Sequence, residues 1–164
     1  MGASHLLQSS ALFSACKRYR YNLRRSWDHS LGTVLFIGLN PSTADAKKDD
    51  PTIRRCIRFA RTWGYGSLIM ANLFAYRSTK PAALRRVKDP VGPRNNWWLT
   101  RLAKQADLVI AAWGIHGSLL SRDIAVKRKN RNLYCLGKTD AGHPRHPLYL
   151  PATTKPRRWN DSKA

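Results

Sequence analysis

The sequence predicts an α/β fold, a three-layer sandwich with a central, mostly parallel four-stranded sheet. Four short apolar runs predict the strands, and each run stops at a glycine, an asparagine or a tight loop. The runs cover residues 33–37, 68–74, 108–113 and 132–136. Segments with helical spacing of apolar residues separate the runs, and strands that alternate with helices form a parallel sheet covered on both faces.

Residue spacing predicts the elements of the first half. Aromatic and aliphatic residues alternate with arginines over 19–27, which is typical of a half-buried edge strand. The continuous apolar run 33–37 suits a parallel strand that is buried on both faces. Asp50 as N-cap and Pro51 at the first helical position predict a helix, which we expect to end at Gly64.

The second half continues the alternation. Residues 97–103 predict a second helix and residues 118–129 a third, each followed by one of the remaining apolar runs. Proline and basic residues dominate the end of the chain and predict a loose basic tail over 151–164. The length fits a single domain, 1–164, with its core at about 18–150.

Composition restricts the class of protein. The chain of 164 residues has 30 Lys and Arg against 9 acidic residues, all aspartates, and a formal net charge of +21. Such a charge attracts polyanions, so we expect DNA as the partner. No apolar run has the length of a membrane span, and residues 1–16 lack the basic and long apolar regions of a signal peptide, which predicts a cytoplasmic protein without a membrane partner. Protein partners stay unknown.

The spacing of the cysteines and the absence of nucleotide-binding and esterase motifs exclude several kinds of functional site. Cys16, Cys56 and Cys135 are too far apart for a CxxC metal site, and we expect reduced thiols. Prolines interrupt the one histidine and aspartate cluster, Asp140, His143 and His146, so no metal site is predicted there. The chain contains no Walker loop, GxSxG or GxGxxG, and we predict no small-molecule cofactor.

Polar or ring side chains follow each predicted parallel strand. They lie at 38–45, 72–79, 113–117 and 137–149. Ligands of open α/β sheets bind outside the carboxyl ends of the strands, so these loops predict the site. Glycine, asparagine and proline there could equally be turn formers only.

Two side chains in these loops carry hydrogen-bonding groups that could contact a ligand. The carboxamide of Asn72 has an acceptor and two donors, although a loop backbone could occupy it instead. The imidazole of His146 can donate a hydrogen bond near neutral pH, or it could be a simple turn residue.

Four motifs in order resemble the uracil-DNA glycosylase superfamily. They are IGLNP at 37–41, LIMANLFAYR at 68–77, VIAAWG at 109–114 and HPL at 146–148. More closely, IGLNPSTAD, DDPTIRRC, NLFAYRST, AAWG and HPLYL together are similar to a family known as domain of unknown function 1643. The closer resemblance implies no activity, whereas the distant one implies a uracil-DNA glycosylase-like fold and cleavage of a bond between base and sugar.

The glycosylase resemblance assigns roles to the strand-end residues. It implies that His146 donates to the departing base, that Asn72 reads the base and that Asn40 orients the attacking water. An amide cannot act as a general base, so Asp45 is a candidate for a compensating carboxylate and Asp49 a weaker one. Ser42 stands where typical uracil enzymes have a tyrosine that blocks the pyrimidine 5-position, which predicts room for a 5-modified pyrimidine.

The remaining predicted site residues complete a base pocket and a DNA surface. Phe74, two residues after Asn72, would stack on the flipped base. The rest of the pocket is assigned to Gly38, Leu39 and Pro41. Phosphate contacts are predicted for Arg77, Ser78, Thr79, Lys80 and Arg145, and a wedge into the base stack for Leu148 or Tyr149.

The combined expectation is an enzyme, a DNA glycosylase that hydrolyses the base-sugar bond of a flipped-out uracil or 5-modified pyrimidine. Two alternatives stay open. One is a non-catalytic nucleic-acid-binding module of the same fold, because Asn40 stands in the place of a carboxylate. The other is a metal-dependent nuclease that uses Asp45 and Asp49 with a divalent ion.

Overall fold

A mixed sheet forms the centre of the computed structural model, which describes residues 6–159. Seven strands are found in this part of the chain, in the spatial order β1-β2-β4-β3-β5-β6-β7. They are β1 (Gln8–Phe13), β2 (Arg20–Ser26), β3 (Thr33–Gly38), β4 (Ser67–Asn72), β5 (Leu108–Ala111), β6 (Leu133–Cys135) and β7 (Arg157–Arg158). The helices are α1 (Pro51–Thr62), α2 (Asn95–Gln105) and α3 (Arg122–Lys129).

The α/β class with a central sheet is confirmed, but the prediction of four strands is wrong. The four predicted parallel strands are β4, β3, β5 and β6, which pair in parallel. Antiparallel pairing extends the sheet at both sides, through β2 and β1 on one side and β7 on the other. β2 is therefore not an edge strand, because β1 covers it.

Two clusters of buried apolar side chains, one on each face of the sheet, lie between the sheet and the helices. Val34 and Phe36 of β3 point to the cluster that includes Phe59 of α1. Their neighbours Leu35 and Ile37 point to the opposite cluster, which includes residues of α2 and α3. Since successive side chains of a strand face opposite sides, a continuous apolar run is needed to bury both faces. Each fully buried aliphatic side chain contributes about 1.5–3 kcal/mol.

The start of α1 is as predicted. Asp50 has extended backbone angles, and its Oδ1 accepts a hydrogen bond from the amide of Ile53 at 2.9 Å. Pro51 occupies the first helical position, where no amide donor is needed. The helix ends at Thr62, and Gly64 turns the chain with φ +86°.

α3 begins later than the sequence predicts. A 3-10 turn, Leu119–Ser121, precedes it, and Leu120 and Ser121 both have φ +53°. Such left-handed angles interrupt the helical hydrogen-bond pattern, so the regular helix starts at Arg122. Apolar spacing alone does not reveal this interruption.

The prediction of a loose tail is wrong for residues 151–159. β7 pairs with β6, and the Trp159 ring lies 5.4 Å from that of Trp113. Trp63 also donates from Nε1 to the carbonyl oxygen of Thr154 at 3.0 Å. Residues 160–164 of the predicted tail lie outside the described residues. Within 6–159, no helix combines the length and apolarity that crossing a membrane requires.

Candidate active site

A cavity of about 640 Å³ opens at the carboxyl edge of the parallel strands. All four loops that the sequence selected contribute to its wall, together with the first residues of α1. The structure brings Asn40, Asn72 and His146 together on this wall, although they are far apart in sequence. Its volume is within the range of about 300–1,000 Å³ that small-molecule sites occupy.

The loops after β3 and β4 are joined by backbone hydrogen bonds that continue beyond the sheet. Leu73 donates to the oxygen of Gly38 at 2.9 Å, and Phe74 donates to that of Leu39 at 3.0 Å. Further along, the amide of Ser78 donates to the oxygen of Pro41 at 2.9 Å. This part of the wall is therefore built as an extension of the sheet.

Gly38 and Asn72 are register partners at the ends of β3 and β4. A Cβ atom on Gly38 would lie 2.9 Å from Nδ2 of Asn72, closer than real Cβ contacts allow. Glycine at position 38 thus lets the Asn72 carboxamide lie across the end of the neighbouring strand. Leu39, Pro41 and Ser42 follow Gly38 along the same wall.

The carboxamide of Asn72 is oriented by its partner. Its Oδ1 accepts a hydrogen bond from Nη2 of Arg20 at 3.4 Å, on the β2 side of β4. Its Nδ2 faces the Gly38 side and has no hydrogen-bond partner within residues 6–159. The main chain is fixed as well, because buried Asn95 donates from Nδ2 to the oxygens of Asn72 and Leu73 at 2.9 and 3.0 Å. Asn72 therefore presents a donor to the cavity.

Arg20 is a cavity residue that the sequence reasoning missed. Its side chain is only 2% exposed and lines the cavity, with Nη1 donating to the oxygen of Ala44 at 3.1 Å. Burial lowers the pKa of Arg20 to about 10, and the negative charge of Asp50 opposes the shift, so the guanidinium stays charged at neutral pH. Arg20 stands among alternating arginines, and nothing in the sequence distinguishes it from its more exposed neighbours Arg18 and Arg24.

Asn40 is held by the loop after β4. Its Nδ2 donates to the backbone oxygen of Ser78 at 2.8 Å and to that of Pro41 at 3.2 Å. Both contacts occupy the amide nitrogen, so Oδ1 is left as an acceptor on a side chain that lines the cavity. Asn40 can hold a water molecule or face a positive charge, but it cannot remove a proton at neutral pH.

His146 has a defined tautomer. Its Nδ1 accepts a hydrogen bond from the amide of Leu148 at 3.2 Å, so the neutral ring carries its proton on Nε2. Burial lowers the pKa of His146, and the charge of Asp50 only partly offsets this shift. Arg55 of α1 holds the turn, since its guanidinium donates to the backbone oxygens of Pro147 and Leu150.

The structure corrects the prediction for Asp45, which does not line the cavity. Its Oδ1 accepts hydrogen bonds from the amides of Lys47 and Lys48 at 2.8 and 2.7 Å, and these bonds lower the pKa of Asp45. Asp49 is also engaged, in an ion pair with Arg25 at 2.9 Å.

The acidic side chain that does line the cavity is that of Asp50. The sequence reasoning gave it only the N-cap role, although a capping residue after a strand-end loop also faces the carboxyl edge. For the nuclease alternative, Asp45 and Asp49 are both outside the cavity. Among residues 6–159, no group of three histidine, cysteine or acidic side chains could hold a metal ion.

The structure also corrects the prediction for Phe74. Its ring is fully buried in the cluster under α2 and does not line the cavity. β4 ends at Asn72, and the chain then bends towards the loop after β3. The alternation of a strand therefore does not continue from Asn72 to Phe74. Trp113, which is 2% exposed, supplies an aromatic surface of the cavity instead.

The predicted DNA-contact residues divide into two groups. Ser78, Thr79, Arg145, Leu148 and Tyr149 line the cavity, and the last two are 43% and 80% exposed. Arg77 and Lys80 do not line it. The guanidinium of Arg77 lies 4.6 Å from the ring centre of Phe13 and donates to the oxygen of Lys17.

The comparison with protein families gives one match. The model of the family described as protein of unknown function (DUF1643) matches residues 20–148. No curated protein matches the chain, and no solved structure matches it either. The resemblance to uracil-DNA glycosylases therefore rests on the sequence motifs. The family match covers more than half of the chain and spans the cavity residues from Arg20 to Leu148, so this protein belongs to the DUF1643 family.

Proposed function

We propose that the protein is a DNA glycosylase that takes a flipped-out uracil or 5-modified pyrimidine into this cavity and hydrolyses its bond to the sugar. One observation supports the proposal most directly. Asn40, Asn72 and His146, the three residues that the glycosylase resemblance pairs with water positioning, base reading and base polarisation, line one cavity. Four separated loops of the chain supply this wall, and a base can reach it only after leaving the duplex stack.

The reaction breaks the bond between C1′ of the sugar and a ring nitrogen of the base. The electron pair of the bond leaves with the base, which becomes an anion, and C1′ becomes a cation that resembles an oxocarbenium ion. The oxygen of a water molecule then bonds to C1′. One proton of this water is finally taken up by the base, so that charge and atoms balance.

His146 is placed to stabilise the departing base. With Nδ1 engaged by the Leu148 amide, its Nε2–H is the donor available to a ligand oxygen. A donor that is already in place costs no reorganisation as negative charge develops, and such groups contribute about 10²–10³ in rate. The lowered pKa of His146 keeps the ring neutral at pH 7, so it donates without transferring its proton outright.

Asn40 and Asp50 serve the sugar and the water. The free Oδ1 of Asn40 can accept a hydrogen bond from the attacking water, since Ser78 fixes the opposite end of the amide. The carboxylate of Asp50 is the acidic group that lines the cavity among residues 6–159. It can stabilise the cationic sugar and receive the proton of the water, the role that the sequence analysis sought in Asp45.

The lining also supports a base that carries a substituent. Ser42 is a small residue on the cavity wall, and the cavity of about 640 Å³ has space for more than a pyrimidine ring. The net charge of +21 supports a DNA partner, because neutralised phosphates release counterions and strengthen binding. Exposed Leu148 and Tyr149 at the mouth could fill the gap left by a flipped base.

Treatment with alkali tests the proposal. The protein is incubated with DNA duplexes that contain uracil or 5-modified pyrimidines, with and without EDTA, and then heated in alkali. We expect strand breaks only after alkali, with no effect of EDTA, and their loss in His146→Ala. His29→Ala, at an exposed histidine outside this cavity, is the control and should retain activity. Direct cleavage that EDTA abolishes would overturn the proposal.

A non-catalytic DNA-binding module is the second candidate. The observation that favours it is the amide of Asn40, which leaves its position without a general base. Retardation of DNA in a gel, with no alkali-labile site on any base tested, would identify this function.

A further inference from the structure

We propose that Arg20 reads a hydrogen-bond-accepting oxygen, preferentially anionic, on the substituent of the base that enters the cavity. The inference rests on the proposed function, since it assumes that a pyrimidine occupies the site. It goes further by naming the chemistry of the substituent and the residue that recognises it. Neither the sequence motifs nor the family match assigns a role to Arg20.

The first argument is the incomplete hydrogen bonding of a buried cation. A guanidinium has five N–H donors. Arg20 uses Nη1 on Ala44 at 3.1 Å and Nη2 on Asn72 at 3.4 Å, while its Nε is buried without a partner. Each Nη carries a second hydrogen for which residues 6–159 offer no acceptor. Buried charges in proteins are normally paired, because desolvation without compensation is costly.

Arg25 of the same strand is buried as well, but its hydrogen bonding is more complete than that of Arg20. Arg25 is 1% exposed, and its guanidinium donates to Asp49 and to several backbone oxygens. The contact between Arg25 and Asp49 is the one salt bridge found within residues 6–159. Arg25 thus has a structural role that its partners explain. Arg20 is about as buried and lines the cavity, and no carboxylate of residues 6–159 lies within ion-pair distance of it.

The position of Arg20 favours the base over the DNA backbone. Its guanidinium touches the carboxamide of Asn72, the proposed base reader, and the oxygen of Ala44, two residues after Ser42. Ser42 and Arg20 both line this cavity, so a substituent in the space beside Ser42 shares the cavity with the guanidinium. The exposed side chains Arg145 and Tyr149 lie at the mouth, where a phosphodiester would pass. A phosphate need not reach a residue that is 2% exposed.

Binding of free bases tests the inference without any turnover. Calorimetry on the full chain would compare 5-carboxyuracil with 5-methyluracil, in the wild type and in Arg20→Lys and Arg20→Gln. We expect the wild type to bind 5-carboxyuracil about tenfold or more tightly than 5-methyluracil, the size of a charge-assisted hydrogen bond. Arg20→Gln should lose this preference, and Arg20→Lys should lose part of it because its charge lacks the planar fork.

Controls separate the possible failures. Arg24→Lys changes the neighbouring arginine of β2, which bonds Gln105 and does not line the cavity, and should leave the preference unchanged. The ratio of two affinities within one variant does not depend on how far a substitution lowers stability, provided that thermal melting shows a folded protein. If both Arg20 variants fail to fold, equal binding of the two bases by the wild type would still overturn the inference.

Three outcomes would overturn the inference. Equal binding of both bases by the wild type excludes an acceptor-reading cation while leaving the glycosylase proposal intact. If Arg20→Gln changes the ratio of the affinities for dUMP and deoxyuridine, but not the ratio of the affinities for the two bases, then Arg20 reads a phosphate. Absence of binding to every base and nucleoside would overturn the proposed function together with the inference.

Discussion

Asn40 and Ser78 are joined across two loops by a hydrogen bond of 2.8 Å from the Asn40 amide to the Ser78 backbone oxygen. This bond requires a donor at position 40, which a carboxylate lacks. It therefore gives a structural reason for an amide where the glycosylase resemblance allows an aspartate. The bond also fixes which end of the carboxamide a ligand meets.

The first prediction concerns Asn40→Asp. At pH 7 a carboxylate would face the oxygens of Ser78 and Pro41, and we expect a loss of about 2 kcal/mol in unfolding free energy. The loss should shrink as the pH falls towards about 4, because a protonated carboxyl can donate to Ser78. Denaturant unfolding at several pH values measures this. Asn40→Ala is the control and should show a deficit that is constant over the same range; an equal pH dependence in both would contradict the prediction.

The second prediction concerns the protonation of His146. Its pKa is lowered by burial, so the native chain resists a proton that the unfolded chain accepts below about pH 6.5. The contribution to stability is therefore complete above that value and is lost as the pH falls through the lowered pKa. Acid would also break the bond from the Leu148 amide, since a protonated ring has no acceptor. Imidazole NMR titration should give His146 a pKa below about 6.5, the ordinary value of a histidine, and base release should fall along the His146 titration.

The third prediction concerns Gly38→Ala. The added methyl group would lie 2.9 Å from Nδ2 of Asn72, and we expect a loss of about 1–3 kcal/mol together with weaker base binding. A double-mutant cycle checks the cause. In an Asn72→Ala background the clash is removed, so most of the loss from Gly38→Ala should disappear. Additive effects of the two substitutions would show that another contact is responsible.

The fourth prediction concerns Leu148→Ala. If Leu148 fills the gap left by a flipped base, base release from duplex DNA should fall about tenfold, whereas release from single strands should change little. Rates on matched duplex and single-stranded substrates measure this. Leu120→Ala, at an exposed leucine outside the cavity wall, should leave both rates unchanged. An equal loss on both substrates would assign Leu148 to the base pocket.

The fifth prediction concerns Trp159→Ala. The ring packs against buried Trp113 and is partly buried itself, so we expect a loss of about 1–3 kcal/mol in unfolding free energy. Trp97→Ala, at a tryptophan that is 51% exposed, should change stability by about 0.5 kcal/mol or less. A Trp159 variant as stable as the wild type would mean that the Trp159 ring adds nothing to the stability of the folded core.

The sequence predicts the elements whose pattern is local. The parallel strands β3 and β4 are continuous apolar runs, and α1 has a proline and a capping aspartate at its start. β1 and β7 escape prediction for the opposite reason. β1 has as many polar as apolar residues and none that is buried, and β7 has only two residues, so pairing with a neighbouring strand defines them and residue pattern does not.

The candidate site was predictable to the extent that it follows from topology. Strand ends of a parallel sheet meet at one edge, which brings the loops with Asn40, Asn72 and His146 to one cavity. Contacts across β2 were not predictable, since the inward orientation of Arg20 depends on pairing with distant strands. The roles of Asp45 and Asp50 depend on the local turn of the chain, and spacing alone does not distinguish them.

The backbone bonds that join the loops after β3 and β4 have a consequence for molecular recognition. Because backbone hydrogen bonds of the kind found in a sheet join Leu73, Phe74 and Ser78 to the loop after β3, this part of the wall has its shape before a ligand arrives. The conformational change must then occur in the incoming molecule, which has to rotate or extend a group to reach the interior of the cavity. The cavity would therefore discriminate between nucleotides by how easily each one leaves its helix. A damaged or poorly stacked nucleotide needs less work to do so than a well-paired one.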